Sequence, residues 1–188
     1  MALWVFAYGS LIWNPEFDVA EQSLARLGGF ARSFCMRSIH HRGSEEDPGL
    51  VLALDTSEGA SCDGVAFRVA GDEAACLEAL RARELISSAY VETWQHVTLQ
   101  DNRRVQAVTY VINRDHWQYC AGLSLEEQAQ IIAEAHGGRG PNWEYLNNTA
   151  QHLREIGLSD SDLNWLEQRV GELRAEKTLT LGEPRATN

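Results

Sequence analysis

Two textures divide the chain, and their order limits the fold more than any single motif does. From Leu3 to about Ile112 the residues pattern as strands with one helix inserted, and from Ser124 to Ala175 they pattern as helices. Strands first and helices afterwards predict an α+β fold rather than alternating βαβ units. The strand candidates are Leu3 to Tyr8, Phe30 to Ile39, Leu50 to Leu54 and Gly64 to Val69, separated by turn signals such as Gly28-Gly29 and Asp47-Pro48-Gly49. Tyr90 to Leu99 and Val105 to Ile112 flank Asp101-Asn102-Arg103-Arg104 and read as a hairpin.

The helices carry their ends in the sequence. Asp72 is placed to cap a helix running to about Glu84. Ser124 with Glu127 forms a capping box, and that helix is expected to stop at Gly137-Gly138. Asn142 is expected to cap Trp143 to Ile156, with Trp143, Leu146, Ala150 and Leu153 on one face and Gly157 at the end. Leu163, Leu166, Val170 and Leu173 repeat the helical period before a polar stretch. There is no internal repeat in the 188 residues, so one domain over residues 1–175 and a polar tail over 176–188 are expected.

Composition removes several classes of function. With 44% hydrophobic and 23% charged residues the chain has the makings of a core, which excludes a disordered or collagen-like protein. Sixteen Lys and Arg against 27 Asp and Glu leave a net charge of −11, which repels a phosphate backbone and argues against nucleic acid as a partner. A small anionic substrate stays open, because one arginine or a cradle of backbone amides can hold it. Cys35, Cys62, Cys76 and Cys120 form no C-x-x-C pair and no His lies at zinc-ligand spacing from them, so they read as reduced thiols of a cytoplasmic protein. The apolar run from Leu3 to Trp13 lacks a basic leader and is broken by Tyr8-Gly9-Ser10, so it reads as a buried strand rather than a signal peptide or a membrane span.

Two places can carry chemistry. Tyr8-Gly9-Ser10-Leu11 directly follows a buried strand, where a glycine and a serine can expose consecutive backbone N–H groups to a carboxylate or an oxyanion. The plainer reading is an ordinary exit from strand to turn. The second is Glu84, which shares a helical stripe with Leu77 and Leu80 and so faces the core from the C-terminal end of its helix. Burial and the negative helix end both raise a carboxylate's pKa, which prepares it to take up and return a proton near neutral pH. The plainer reading here is a frayed helix end, with Glu84 in water or paired with Arg81. Ser10 lacks a G-x-S-x-G elbow, His40 and His41 would point to opposite faces of a strand, and no phosphate-binding glycine motif is present, so neither metal nor nucleotide cofactor is expected.

Three segments, taken in order, carry a family likeness. The run from Trp4 to Pro15, with Tyr8-Gly9-Ser10-Leu11 at its centre, resembles the opening signature of the ChaC-type γ-glutamylcyclotransferases. Arg83-Glu84-Leu85-Ile86 followed by Tyr90 is similar to the segment holding that family's catalytic glutamate, and Asn142-Trp143-Glu144-Tyr145-Leu146 resembles its late asparagine-x-x-tyrosine-leucine motif. The likeness implies a mixed, barrel-like β-sheet with flanking helices and the conversion of glutathione to 5-oxoproline and Cys-Gly without a cofactor. It implies Glu84 as acid and base, and Tyr8, Gly9, Ser10, Leu11, Tyr145 and Tyr90 as substrate-binding residues. Ser87-Ser88-Ala89 departs from the glycines that many relatives carry there, which bears on how strictly glutathione is preferred. A cyclotransferase for other γ-glutamyl amides, or a non-catalytic γ-glutamyl-binding regulatory protein, are the alternatives. The sequence sets no oligomeric state.

Overall fold

The computed structural model describes residues 2–182. The chain divides into two compact units, one formed by residues 1–36 and 52–121, the other by 37–51 and 122–188.

The first unit holds β1 (Trp4–Ala7), a 3-10 turn at Ser10–Ile12, most of β2 (Val19–Ser38) and β3 (Gly49–Val69), then α1 (Glu73–Glu84), β4 (Tyr90–Leu99) and β5 (Arg104–Ile112). The strands close into a barrel in the order β1-β3-β2-β4-β5, with a further β3–β5 pairing. The short β1 lies antiparallel to β3, from Trp4 opposite Arg68 to Ala7 opposite Val65, and parallel to β5, with Val5 opposite Val108. All four β1 residues are buried, as expected of a strand covered on both faces. Trp4 and Phe6 join Leu27, Phe30, Leu54, Val97 and Val111 in the barrel core, and Tyr8 packs against it.

The hairpin expected from Asp101 to Arg104 is present, with β4 and β5 paired from Tyr90 opposite Ile112 to Thr98 opposite Arg104. Asn102 takes the left-handed conformation in its turn (φ 68°). Elsewhere the strands are longer than their sequence signals. Gly28-Gly29, expected as a turn, lies inside the 20-residue β2, and Leu50 to Leu54 and Gly64 to Val69, expected as separate strands, belong to the 21-residue β3. Gly29 takes φ +82°, a conformation glycine adopts without steric cost, so the strand continues through it instead of ending.

The Asp72 cap is made as expected: its Oδ1 accepts from the Ala74 and Ala75 amides at 3.0 and 3.1 Å. Both ends of α1 are tied to the barrel. Glu73 Oε1 accepts from the Leu3 amide at 2.9 Å, and Arg81 donates twice to Glu92 of β4, each at 2.7 Å.

The second unit contains α2 (Leu125–Glu134), the two-residue strands β6 (His136–Gly137) and β7 (Gly140–Pro141), α3 (Asn142–Glu155) and α4 (Ser161–Gly182). The three helices bury Ile132, Leu146, Leu153, Leu163, Leu166 and Val170. The Ser124–Glu127 capping box is complete. However, α2 ends at Glu134, short of the expected Gly137-Gly138, because the chain turns extended at Ala135 and pairs β6 with β7. Gly137 is needed for close approach instead: a Cβ there would lie 2.4 Å from the Gly43 nitrogen.

Asn142 does not cap α3, whose N-cap is Pro141 with no side-chain bond. Its amide spans the backbone of Leu50, accepting from the Leu50 nitrogen at 2.6 Å and donating to the Leu50 oxygen at 2.7 Å. A fully buried amide that meets both a donor and an acceptor is worth more there than one cap bond. The tail expected from residue 176 is helical to Gly182 as part of α4, and its remainder, 183–188, lies outside the described residues.

Candidate active site

Glu84 is the last residue of α1. The buried side of that helix carries Cys76 and Leu80, at 8% and 2% exposure, which stand eight and four residues before Glu84 on one stripe. Leu77, expected on that stripe, is only half-buried. Glu84 itself turns inward as expected but is likewise half-buried, its side chain 19% exposed. Arg81 is not its partner, being committed to Glu92. The partner is Arg83, whose Nε lies 3.1 Å from Glu84 Oε1.

Arg83 also joins the helix end to the glycine segment. It donates from Nη2 to Ser10 Oγ at 3.2 Å and from Nη1 to the Asn14 oxygen at 2.8 Å, and Nη1 lies 3.1 Å from Glu16. Ser10 and Glu84, 74 positions apart in the sequence, therefore share one guanidinium. The Glu84 carboxyl is held above its ordinary pKa, chiefly by burial. Arg83 opposes that shift by charge and hydrogen bond, and the Glu16 charge adds to it.

The segment after β1 has the form its composition suggested. Tyr8 is pinned at both ends: its Oη donates to the Tyr110 oxygen at 2.9 Å, and its own carbonyl accepts from Arg32 Nε at 2.6 Å. The first bond of the 3-10 turn runs from the Ile12 amide to the Gly9 oxygen at 2.9 Å. The Ser10 and Leu11 amides precede it and have no acceptor within the turn. A Cβ at Gly9 would meet open space, whereas Leu11 is buried and anchors the turn. The result is a short run of backbone N–H groups beside an open position, linked by Arg83 to a half-buried carboxylate.

The other expected site residues are placed as follows. Tyr90 opens β4 and donates from Oη to the Leu52 oxygen at 3.0 Å. Asn113 secures the stretch between Glu84 and Tyr90 by donating from Nδ2 to the Ser88 oxygen and from its amide to the Ala89 oxygen, at 3.0 and 2.8 Å. Tyr145 belongs to the second unit, on the first turns of α3, with the Arg42 guanidinium 5.7 Å above its ring. Among the described residues no three His, Cys, Asp or Glu side chains gather as metal ligands.

Comparison with known proteins identifies the family. A family model described as ChaC-like protein matches residues 3–173, which span both units. The chain belongs to the ChaC-like family. The ChaC-like chain is 37% identical over 175 residues to the glutathione-specific γ-glutamylcyclotransferase of Escherichia coli (strain K12), an alignment covering 93% of this chain and 75% of that protein. It is 35% identical over 166 residues to glutathione-specific γ-glutamylcyclotransferase 1 of Danio rerio, covering 86% of this chain and 83% of the relative. A solved yeast γ-glutamyl cyclotransferase specific to glutathione shares the fold, with a TM-score of 0.82 at 24% identity over 93% of this chain and 98% of that one. The ChaC-like chain thus has the mixed α+β, barrel-containing γ-glutamylcyclotransferase-like fold that its motifs implied.

The sequence did not single out Arg83 or Glu16 as parts of this site. Arg83 stands next to Glu84, but adjacency on a helix does not put two side chains face to face. Their meeting depends on the 3-10 turn bringing Ser10, Asn14 and Glu16 to the end of α1, and no local pattern signals that.

Proposed function

We propose that this protein is a glutathione-specific γ-glutamylcyclotransferase that converts glutathione to 5-oxoproline and Cys-Gly, with Glu84 as acid and base. Family membership and the activity named for its bacterial and fish relatives support the reaction. The observation that carries the residue assignment is the half-buried Glu84 carboxyl, held above its ordinary pKa and joined through Arg83 to Ser10.

The chemistry suits such a site. A γ-glutamyl amide already carries its α-amine within reach of its own γ-carbonyl, so ring closure is intramolecular and needs no second reactant. The amine must first lose a proton, and Glu84 takes it. The nitrogen then bonds to the γ-carbonyl carbon, the C–N bond to Cys-Gly breaks, and the proton passes from Glu84 to the departing nitrogen of Cys-Gly, which takes up the second proton shed by the ring nitrogen and leaves as an ammonium. The Ser10 and Leu11 amides are positioned to bind the glutamyl carboxylate or the oxyanion that forms on the γ-carbonyl. Tyr8 and Gly9 hold that segment in place. Tyr90 and Tyr145 are assigned to substrate binding on the family likeness. The reaction requires neither a metal nor a covalent intermediate. A cytoplasmic setting belongs to the same proposal, since four free thiols suit a reducing compartment.

The test is mass spectrometry of products after incubation with glutathione, beside a Glu84→Gln control. Equal amounts of 5-oxoproline and Cys-Gly, absent in the control, are expected. Free glutamate would show hydrolysis instead, and turnover surviving in Glu84→Gln would remove Glu84 from the mechanism. No product from glutathione but cyclisation of other γ-glutamyl amides would change the substrate. Binding of γ-glutamyl compounds without any turnover would make the protein a regulator.

A further inference from the structure

One buried polar group near Glu84 has no role in the mechanism above. Tyr110 on β5 is 2% exposed, and its hydroxyl makes no close hydrogen bond among the described residues, although it lies near enough to the Glu92 carboxylate to help hold that group's pKa down. A buried phenol without a partner typically costs about 1–3 kcal/mol, and natural proteins leave few such groups unpaired.

Its position follows from register. Tyr110 stands directly opposite Glu92 on β4, so the two side chains lie on the same face of the sheet. Both Glu92 oxygens accept from Arg81 of α1, which identifies that face as the one beneath the helix. Glu84 lies three residues beyond Arg81, on the same side of α1 one turn on. The carbonyl of Tyr110 accepts the Tyr8 hydroxyl, so this residue touches the glycine segment through its backbone while its ring runs beneath α1.

We propose that Tyr110 is a positioning residue for Glu84, its buried hydroxyl donating to the Glu84 carboxylate in the substrate-bound protein so that one carboxylate oxygen is held while the other faces the α-amine. This rests on Glu84 being the acid and base. Oε1 of Glu84 is engaged by Arg83, while both oxygens of Glu92, the phenol's cross-strand neighbour, are taken by Arg81, which leaves the phenol without a close partner. Burial and the nearby Glu92 and Glu84 charges keep the phenol protonated, so towards a carboxylate it acts only as a donor. The titratable groups around the pair are Arg81, Arg83 and Cys76 on α1, Glu92 on β4 and Glu16 beyond the 3-10 turn.

The test is Tyr110→Phe, which removes the hydroxyl and keeps the ring. With glutathione as substrate, kcat is expected to fall roughly 10- to 100-fold, the loss typical of a misaligned catalytic group, with KM within about twofold of wild type. The acidic limb of the pH profile should move to higher pH, because a lost donor leaves the ionised carboxylate less stabilised. The melting temperature should stay level or rise, since an unpaired buried hydroxyl is gone. Wild-type kcat and an unmoved acidic limb in the variant would overturn the proposal. So would a fall in kcat that only follows a fall in melting temperature. Wild-type protein that makes no 5-oxoproline would overturn the cyclotransferase reading itself, and this proposal with it.

Discussion

Arg83 Nε lies 3.1 Å from Glu84 Oε1, while the same guanidinium reaches Ser10 Oγ at 3.2 Å. Two opposed influences therefore act on one carboxyl. Burial raises its pKa, the Arg83 charge lowers it, and Glu16 raises it further. Replacing Arg83 with Met keeps the aliphatic stem and removes the opposing charge. The acidic limb of the kcat–pH profile is then expected to move to higher pH, because the unopposed burial leaves Glu84 protonated over a wider range. A limb that stays put or moves down would show that Arg83 does not set the Glu84 proton affinity. KM should rise as well, since the Ser10 and Asn14 contacts are lost.

Glu84 should also leave a mark on stability. Its folded pKa lies above the ordinary value of 4.5, so the folded protein binds this proton more tightly than the unfolded chain. Stability from this group is present at low pH and is lost as pH rises through the folded pKa. Glu84→Gln removes that loss, so the variant is expected to melt at or above the wild-type temperature at pH 7. The gap should close at acid pH, and thermal melts from pH 4 to 8 would show it. A variant markedly less stable at neutral pH would mean that the ionised carboxylate supports the fold.

Asn142 supplies a test of bridging against capping. Asn142→Ala strands the buried N–H and C=O of Leu50, which should cost about 2–6 kcal/mol at about 1–3 kcal/mol for each orphaned group. Asn142→Ser introduces a good helix-capping residue with a side chain too short to span both atoms, so it should be nearly as destabilised. Urea unfolding distinguishes the two roles, because full recovery by Ser would point to capping.

The register of α1 predicts an asymmetric pair of core variants. Leu80 is 2% exposed and Leu77 only half-buried. Leu80→Ala is expected to cost about 2–5 kcal/mol, and Leu77→Ala less than about 2. Equal losses in chemical denaturation would contradict the helix orientation that places Glu84.

What could be read from the sequence was local. The Asp72 cap, the Ser124–Glu127 box and the hairpin around Asn102 each depend on residues within a few positions of one another, where helix and turn geometry alone decide who meets whom. Turn signals failed at Gly28-Gly29, because a glycine that permits a turn equally permits a long strand to continue through a left-handed residue.

By itself the sequence determined the order of strands and helices, the core-facing carboxylate at the end of α1 and the glycine segment after β1. Periodicity and capping are properties of neighbouring residues, so they survive without any knowledge of the fold. Tertiary structure alone decided the partners. Arg83 finds Ser10 across 73 positions, Asn142 finds Leu50 across 92, and the Tyr8 hydroxyl finds the Tyr110 carbonyl across 102. Such pairs are set by how the barrel closes and by the register of its strands, where a shift of one residue would turn every side chain to the opposite face.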